Sequence, residues 1–261
     1  MAFIETAWGQ LWVADHREAG SAAPVVVWLH GAGGSRLDWP PPLARLDSAN
    51  TLVPDLPGHG RSPGTARQAI DLYAQDIVAL LDALAIPQAI IGGHSMGGAI
   101  ALTLALEHPA LVAGLMLVNT GAKLTVHPDL LHNVLADPQR VVTLLVDWFW
   151  STHTDEAIRS ATYERLVQVA PETLHADFLA CNDFDVIGRL GALQVPTLIL
   201  GSTADAMTPA QYSRYLHEQI AGSRLMIIED SGHMMIQEKP KVIAGIAAAW
   251  LRETFAATAP E

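Results

Sequence analysis

Gly93-His94-Ser95-Met96-Gly97 sets a serine between two glycines, the pattern G-x-S-x-G, directly after the apolar run "AII" and before a helical stretch. A strand that turns sharply into a helix at Ser95 forces strained dihedrals on the serine, and a side chain at either glycine would meet the crossing backbone. The turn thrusts Oγ outward. A serine hydroxyl is a poor nucleophile near neutral pH, so it needs an imidazole to take its proton and a carboxylate to hold that imidazole. Of eleven histidines, His233 in "EDSGHMM" follows the last apolar run and precedes the final helical segment, which makes it the candidate base. Asp205 in "GSTADAMTP" follows the run "PTLIL", with Pro209 opening the next helix, and is the candidate carboxylate. Asp230 competes by its nearness to His233 but reads as a turn or capping group.

The remaining candidates read as structural. Side chains adjacent on a tight turn point apart, so His94 packs or bonds locally, and His30 closes its strand before a glycine loop. No H-E-x-x-H or paired metal-ligand spacing occurs, so no metal and no cofactor is expected. The single cysteine, Cys181, cannot form an internal disulfide and reads as a small buried filler. A formal net charge of −12 excludes nucleic acid as a partner, because that affinity rests on cationic side chains displacing counterions. The N-terminus has no basic start followed by an apolar run, and no stretch of 18 uncharged apolar residues occurs, so no secretory leader, no membrane span and a cytoplasmic location are expected. The tail "AATAPE" is expected to fray.

The elements that must position these residues follow from hydrophobic pattern. Residues 2–15 form two short β-like runs around Gly9, a hairpin at a sheet edge. "PVVVWLH", "TLVPDLPG", "AIIGGHS", "LVAGLMLVNT", "PTLILGS" and "RLMIIEDSGH" are continuous apolar runs, as expected of strands covered on both faces of a parallel sheet. Helical patterns lie between them: Ile70, Tyr73, Ile77, Leu80, Leu81 and Leu84 share one face, and Leu102, Leu104 and Leu106 continue a helix from Ser95. Alternating β and α predicts an α/β doubly wound sheet whose ligands lie at the carboxyl ends of the strands, where Ser95, Asp205 and His233 all fall. Between Asn119 and Gln194 the alternation gives way to helix-like segments punctuated by Pro128, Pro138 and Pro171. This predicts a helical lid inserted after the sixth strand, residues 121–191, on a core made of 1–120 and 192–261. "PPP" at 40–42 reads as a stiff surface turn.

The order Ser, Asp, His, together with "HGAGG", "DLPGHGRS", "GHSMGG", "ADAMTP" and "SGH" in sequence, resembles the α/β-hydrolase-fold serine hydrolases along the whole chain, in the lidded esterase and enol-lactonase-like branch. The resemblance implies that the N–H groups of Ala32 and Met96 receive the developing oxyanion. It also implies that Asp55 and His59 belong to a structural loop beside the site. Leu37, Trp39, Trp148, Phe149, Met207 and Met234 are candidate walls of an apolar substrate pocket, with lid packing as the alternative for each aromatic, Trp150 included. The expected chemistry is hydrolysis of a small-molecule ester through acyl-Ser95. Lactone or carbon–carbon hydrolysis, acyl transfer or lyase chemistry on the same residues, and a slow hydrolase-fold ligand receptor are alternatives. Serine rather than aspartate at the turn argues against the dehalogenase and epoxide-hydrolase branches. His94 and Met234, where the carbon–carbon branch often carries Asn and Trp, argue against that one. Oligomeric state, monomer or homodimer, is open.

Overall fold

The computed structural model describes residues 1–255; the "AATAPE" tail lies outside them. An eight-stranded sheet runs in the order β1-β2-β4-β3-β5-β6-β7-β8. The hairpin β1 (Ala2–Thr6) and β2 (Gly9–His16) forms one edge and meets β4 (Asn50–Pro54) antiparallel. From β4 onward β3 (Val25–Leu29), β5 (Ala89–His94), β6 (Val112–Val118), β7 (Thr197–Ser202) and β8 (Arg224–Ile228) are parallel.

The unbroken apolar runs belong to strands covered on both sides, with successive side chains pointing to opposite faces. Val27, Leu29 and Ile91 pack under α2 (Ile70–Ala83), α3 (Met96–Glu107) and α8 (Ala210–Gln219). Val26, Trp28 and Ile90 pack under α1 (Pro41–Ala44), α9 (Met235–Glu238) and α10 (Pro240–Phe255). Two readings need correction. β8 alternates exposed and partly buried positions because it is the far edge of the sheet. The prolines at 40–42 open α1, whose Leu43 is fully buried, rather than a surface turn; Pro suits the first turn of a helix, where its missing N–H has no partner anyway.

Between β6 and β7 the chain forms α4 (Pro128–Asn133), α5 (Pro138–Phe149), α6 (Glu156–Leu166) and α7 (Pro171–Asp183), three of which begin with the prolines noted above. These helices have an apolar cluster of their own, including Val141, Leu145, Phe149, Leu166 and Phe178, which also takes in Met234 from the core. Strand register aligns Leu29, Gly93, Leu117, Ile199 and Leu225 in one rung. The chain segments beyond that rung, at residues 30–35, 94–96, 119–120, 203–208 and 229–234, therefore gather at one end of the sheet, facing the inserted helices.

Candidate active site

Ser95 stands between β5 and α3 at φ 53°, ψ −116°, a conformation that costs a non-glycine residue on the order of 1–3 kcal/mol. The glycines around it are required by space. A Cβ on Gly93 would lie 2.1 Å from the Gly97 carbonyl oxygen, and one on Gly97 would lie 2.2 Å from that of Leu29. The serine backbone is held to the neighbouring strand and loop: its N–H donates to the Val118 carbonyl at 3.0 Å, and its carbonyl accepts from the Thr120 hydroxyl at 2.8 Å.

Asp205 and His233 meet. His233 Nδ1–H donates to Asp205 Oδ2 at 2.9 Å, with both side chains buried. That bond leaves Nε2 as the ring nitrogen with a free lone pair. Asp205 is itself tied down: Oδ1 accepts from the N–H groups of Met207 and Thr208, each at 2.8 Å, and Oδ2 accepts from the Thr208 hydroxyl at 2.8 Å. Burial opposes ionisation of Asp205, but the His233 imidazole and these hydrogen bonds overcome it and hold the carboxyl below the ordinary carboxylate range. Asp230 is exposed, sits at φ 50° in the turn after β8, and takes no part in this arrangement.

The main chain of His233 is fixed as firmly as its ring. His94 Nε2–H donates to the His233 carbonyl at 2.9 Å, and Asn119 Nδ2–H donates to the same oxygen at 2.9 Å and to that of Gly232 at 3.0 Å. His94 therefore bonds across the sheet end, not locally as its position on the turn suggested. Burial first, then the neighbouring His233, depresses the His94 pKa to about 3, so it serves as a neutral donor.

Residues 31–34 form a turn closed by Gly34 N–H to the Gly31 carbonyl at 3.1 Å. Neither Ala32 N–H nor Met96 N–H, the latter in the first turn of α3, has an acceptor among the described residues. His30 supports this loop from below. Its Nε2 accepts from Leu56 N–H at 3.0 Å, so its proton sits on Nδ1 and faces the Gly31 carbonyl at 2.8 Å. Asp55, fully buried, gathers Arg36 N–H at 2.7 Å, the Arg36 guanidinium at 2.6 Å and Arg61 N–H at 2.9 Å, tying the loop after β4 to the loop after β3.

Ser95 opens onto two cavities, one of about 810 Å³ and one of about 490 Å³, which share Ala32, Ser95, Phe178 and Met207. His233, Met234, Phe149 and, at its rim, the 60% exposed Leu37 line the larger; Trp148 lines the smaller. Trp39 lines neither. It is buried and stacked on Trp28 at 4.5 Å beneath the sheet, because the short turn Arg36–Asp38 swings the chain inward after Leu37. Trp150 is likewise packed inside the inserted helices. No group of three or more His, Cys, Asp or Glu side chains able to hold a metal occurs among the described residues, and no helix there is long and apolar enough to cross a membrane.

Residues 26–246 match the model of the alpha/beta hydrolase family. The chain belongs to that family. The "Putative carbamate hydrolase RutD" of Pseudomonas savastanoi pv. phaseolicola is 31% identical to this hydrolase over 84% of its chain and 90% of the relative's. A pimeloyl-[acyl-carrier protein] methyl ester esterase of Neisseria meningitidis serogroup B is 30% identical over 84% and 89%. Among solved structures, the enol-lactonase from Burkholderia xenovorans LB400 superposes with a TM-score of 0.89 over 96% of this chain and 99% of its own, at 21% identity, which speaks for the fold.

Several residues of the candidate site lay beyond sequence reasoning. Thr208 is a common polar residue that bonds Asp205 only three positions away, and Asn119 is another whose partner stands far off in the chain, so that only the sheet end brings it to the His233 carbonyl. The one available signal was that Asn119 closes an apolar strand on the same rim as Ser95. Asp177, in the middle of α7, carried no signal. It is fully buried and accepts from Gly33 N–H at 2.7 Å, His59 Nε2–H at 2.8 Å and the Tyr73 hydroxyl at 2.5 Å.

Proposed function

We propose that this alpha/beta hydrolase cleaves carboxylic esters or lactones of small, largely apolar molecules through an acyl-Ser95 intermediate, with residues 121–191 acting as a cap over the site. The observation that carries the reading is the Asp205–His233 hydrogen bond at 2.9 Å, with His233 and Ser95 lining one cavity. Ser95 Oγ adds to the substrate carbonyl as its proton passes to His233 Nε2. The carbonyl oxygen becomes an anion received by the N–H groups of Ala32 and Met96. The intermediate collapses, the alkoxide leaves with the proton from His233, and the acyl group remains on Ser95. Water then gives its proton to His233, attacks the acyl carbon, and the acid departs as Ser95 recovers its proton. Asp205 holds Nδ1–H and stabilises the imidazolium formed in each half.

The two cavities meeting at Ser95 suit a substrate with an apolar group on each side of the carbonyl. A lactone is the cyclic case of the same acyl–oxygen bond and follows the same steps. Ser95→Ala should abolish turnover of a nitrophenyl butyrate while leaving the thermal midpoint within a few degrees. A fluorophosphonate should label the unaltered chain once, at Ser95. Retained turnover, or a label elsewhere, overturns the reading.

A further inference from the structure

A buried carboxylate needs a reason, because the cost of dehydrating an ion pair tends to cancel its attraction and makes such pairs a weak source of stability. Asp177 pairs with His59 where neither is exposed. The imidazole faces the Pro57 carbonyl at 3.0 Å through Nδ1 and Asp177 Oδ2 at 2.8 Å through Nε2. Both partners can only accept, so satisfying both contacts requires both ring nitrogens to carry protons. With Gly33 N–H and the Tyr73 hydroxyl, the carboxylate has three donors, all from the core, while it alone comes from the cap.

We propose that Asp177 is a positioning residue of the oxyanion loop, through which the cap holds the Ala32 N–H in place. The inference rests on the acyl-serine reading above. Gly33 is the third residue of the turn at 31–34 and has φ 63°, the combination of a type II turn. Type I and type II turns differ by a flip of the central peptide, here the one joining Ala32 to Gly33. That peptide is planar and trans, so its N–H and its C=O point opposite ways. Flipping it would turn the Ala32 carbonyl toward the Asp177 carboxylate, two negative ends face to face. The carboxylate therefore selects one orientation of the peptide, fixing ψ of Ala32 and φ of Gly33, the two torsions by which the turn types differ. A Cβ on Gly33 would lie 2.9 Å from Leu174 Cδ1, so α7 also closes the space into which this turn could relax. The two turn types share φ at Ala32, so what the Asp177 bond holds is the Cα that joins the two peptides, and with it the position of the Ala32 N–H.

The test compares Asp177→Ala, Asp177→Ser and Asp177→Asn with the unaltered chain, using nitrophenyl butyrate and an aryl trifluoromethyl ketone. The ketone carbon takes up Ser95 Oγ and its oxygen becomes the bound anion, so its affinity reports the oxyanion site, whereas butyrate reports ground-state binding. Asp177→Ala should lower kcat by roughly tenfold to a hundredfold with little change in KM, the scale expected for a misplaced donor. Ketone affinity should fall by the same factor and butyrate affinity should not. Asp177→Asn, which keeps an oxygen for Gly33 N–H, should recover most of the loss. Asp177→Ser leaves room for water to serve His59 and Tyr73, and gives the same comparison if the alanine variant does not fold. Asn50→Ala, which removes a buried side chain that accepts from Glu18 N–H and donates to the Ala23 carbonyl at the start of β4, the opposite end of the sheet, is the control and should lower the thermal midpoint without touching kcat. Unchanged kcat and ketone affinity in the Ala and Ser variants overturn the proposal alone, as does an equal kcat loss in Asn50→Ala. Ketone binding as tight to Ser95→Ala as to the unaltered chain overturns the acyl-serine reading, and the proposal with it.

Discussion

Replacing Asp205 with asparagine changes one atom, and the surrounding hydrogen bonds decide what that atom does. Two backbone donors, Met207 N–H and Thr208 N–H, point at Oδ1. An asparagine must keep its oxygen there, since its NH₂ group in that place would face two donors in a buried site. The NH₂ is thereby forced into the position of Oδ2, 2.9 Å from His233 Nδ1. It can only donate, so His233 must accept at Nδ1 and move its proton to Nε2, the nitrogen needed to receive the Ser95 proton. The ring is then the wrong tautomer, held in the right place. Such a change costs roughly 10⁴-fold in kcat, about 5.5 kcal/mol of transition-state stabilisation, while substrate binding should hold. Asp230→Asn should be silent, since that side chain is exposed and in a separate turn. Steady-state kinetics on a nitrophenyl ester, with circular dichroism to confirm the fold, measures both. A loss below tenfold in Asp205→Asn, or a large one in Asp230→Asn, would refute the reasoning.

Two buried groups shape stability against pH from opposite sides. Burial opposes charging of His59, but Asp177 outweighs it and raises the pKa above the ordinary 6.5; His30, Asp55 and Tyr73 also face the ring. Its contribution is therefore complete below about pH 6.5 and lost as pH rises through the folded value, whereas that of Asp205, whose pKa is depressed from 3.8, is complete above that value and lost as pH falls. Urea midpoints should plateau between, and His59→Gln should flatten the alkaline decline; an unchanged slope would count against the charged pair. Gly93→Ala, with its Cβ 2.1 Å from the Gly97 carbonyl oxygen, should destabilise by about 3 kcal/mol or more in the same assay, and a near-neutral effect would contradict the close crossing of β5 and α3.

The sheet was legible because its strands are apolar throughout, a pattern that only coverage on both faces explains, and because G-x-S-x-G carries a steric requirement that can be read from composition. Edges and lids were less so. β8 has the same apolar character as the central strands, yet nothing in "RLMII" says that no strand lies beyond it. Trp39 illustrates the limit for pocket walls: it stands two residues from Leu37, and a three-residue turn sends one to the cavity rim and the other beneath the sheet. Asp177 was invisible for a deeper reason. An acidic residue in an amphipathic helix ordinarily faces water, and what buries this one is three donors from residues 33, 59 and 73, which no local pattern connects to it.

Those long-range bonds also constrain how substrate can reach Ser95. Three carboxylates bridge the inserted helices and the core. Asp177 reaches Gly33, His59 and Tyr73, and Asp38 joins Arg165 of α6 to Gln237 of α9 at 3.0 and 3.1 Å. Glu238 accepts from Ser151 N–H at 2.9 Å and the Thr154 hydroxyl on the inserted side, and from the Ser231 hydroxyl at 2.7 Å and Gly232 N–H at 2.6 Å beside His233. Lifting the helices as one body would strip Asp177 of all three donors and part Ala180 and Cys181 of α7 from the core residues they pack against. The same motion would release Gly33 N–H and Gly232 N–H, loosening the loops that carry Ala32 and His233 just as substrate arrived. Entry by movement of side chains at the rim, where Leu37 is exposed and Arg165 is partly so, breaks none of the Asp177 or Glu238 bonds. On the proposed reading it would leave both loops in place through the cycle, so a mouth that opens locally fits these bonds better than a cap that lifts.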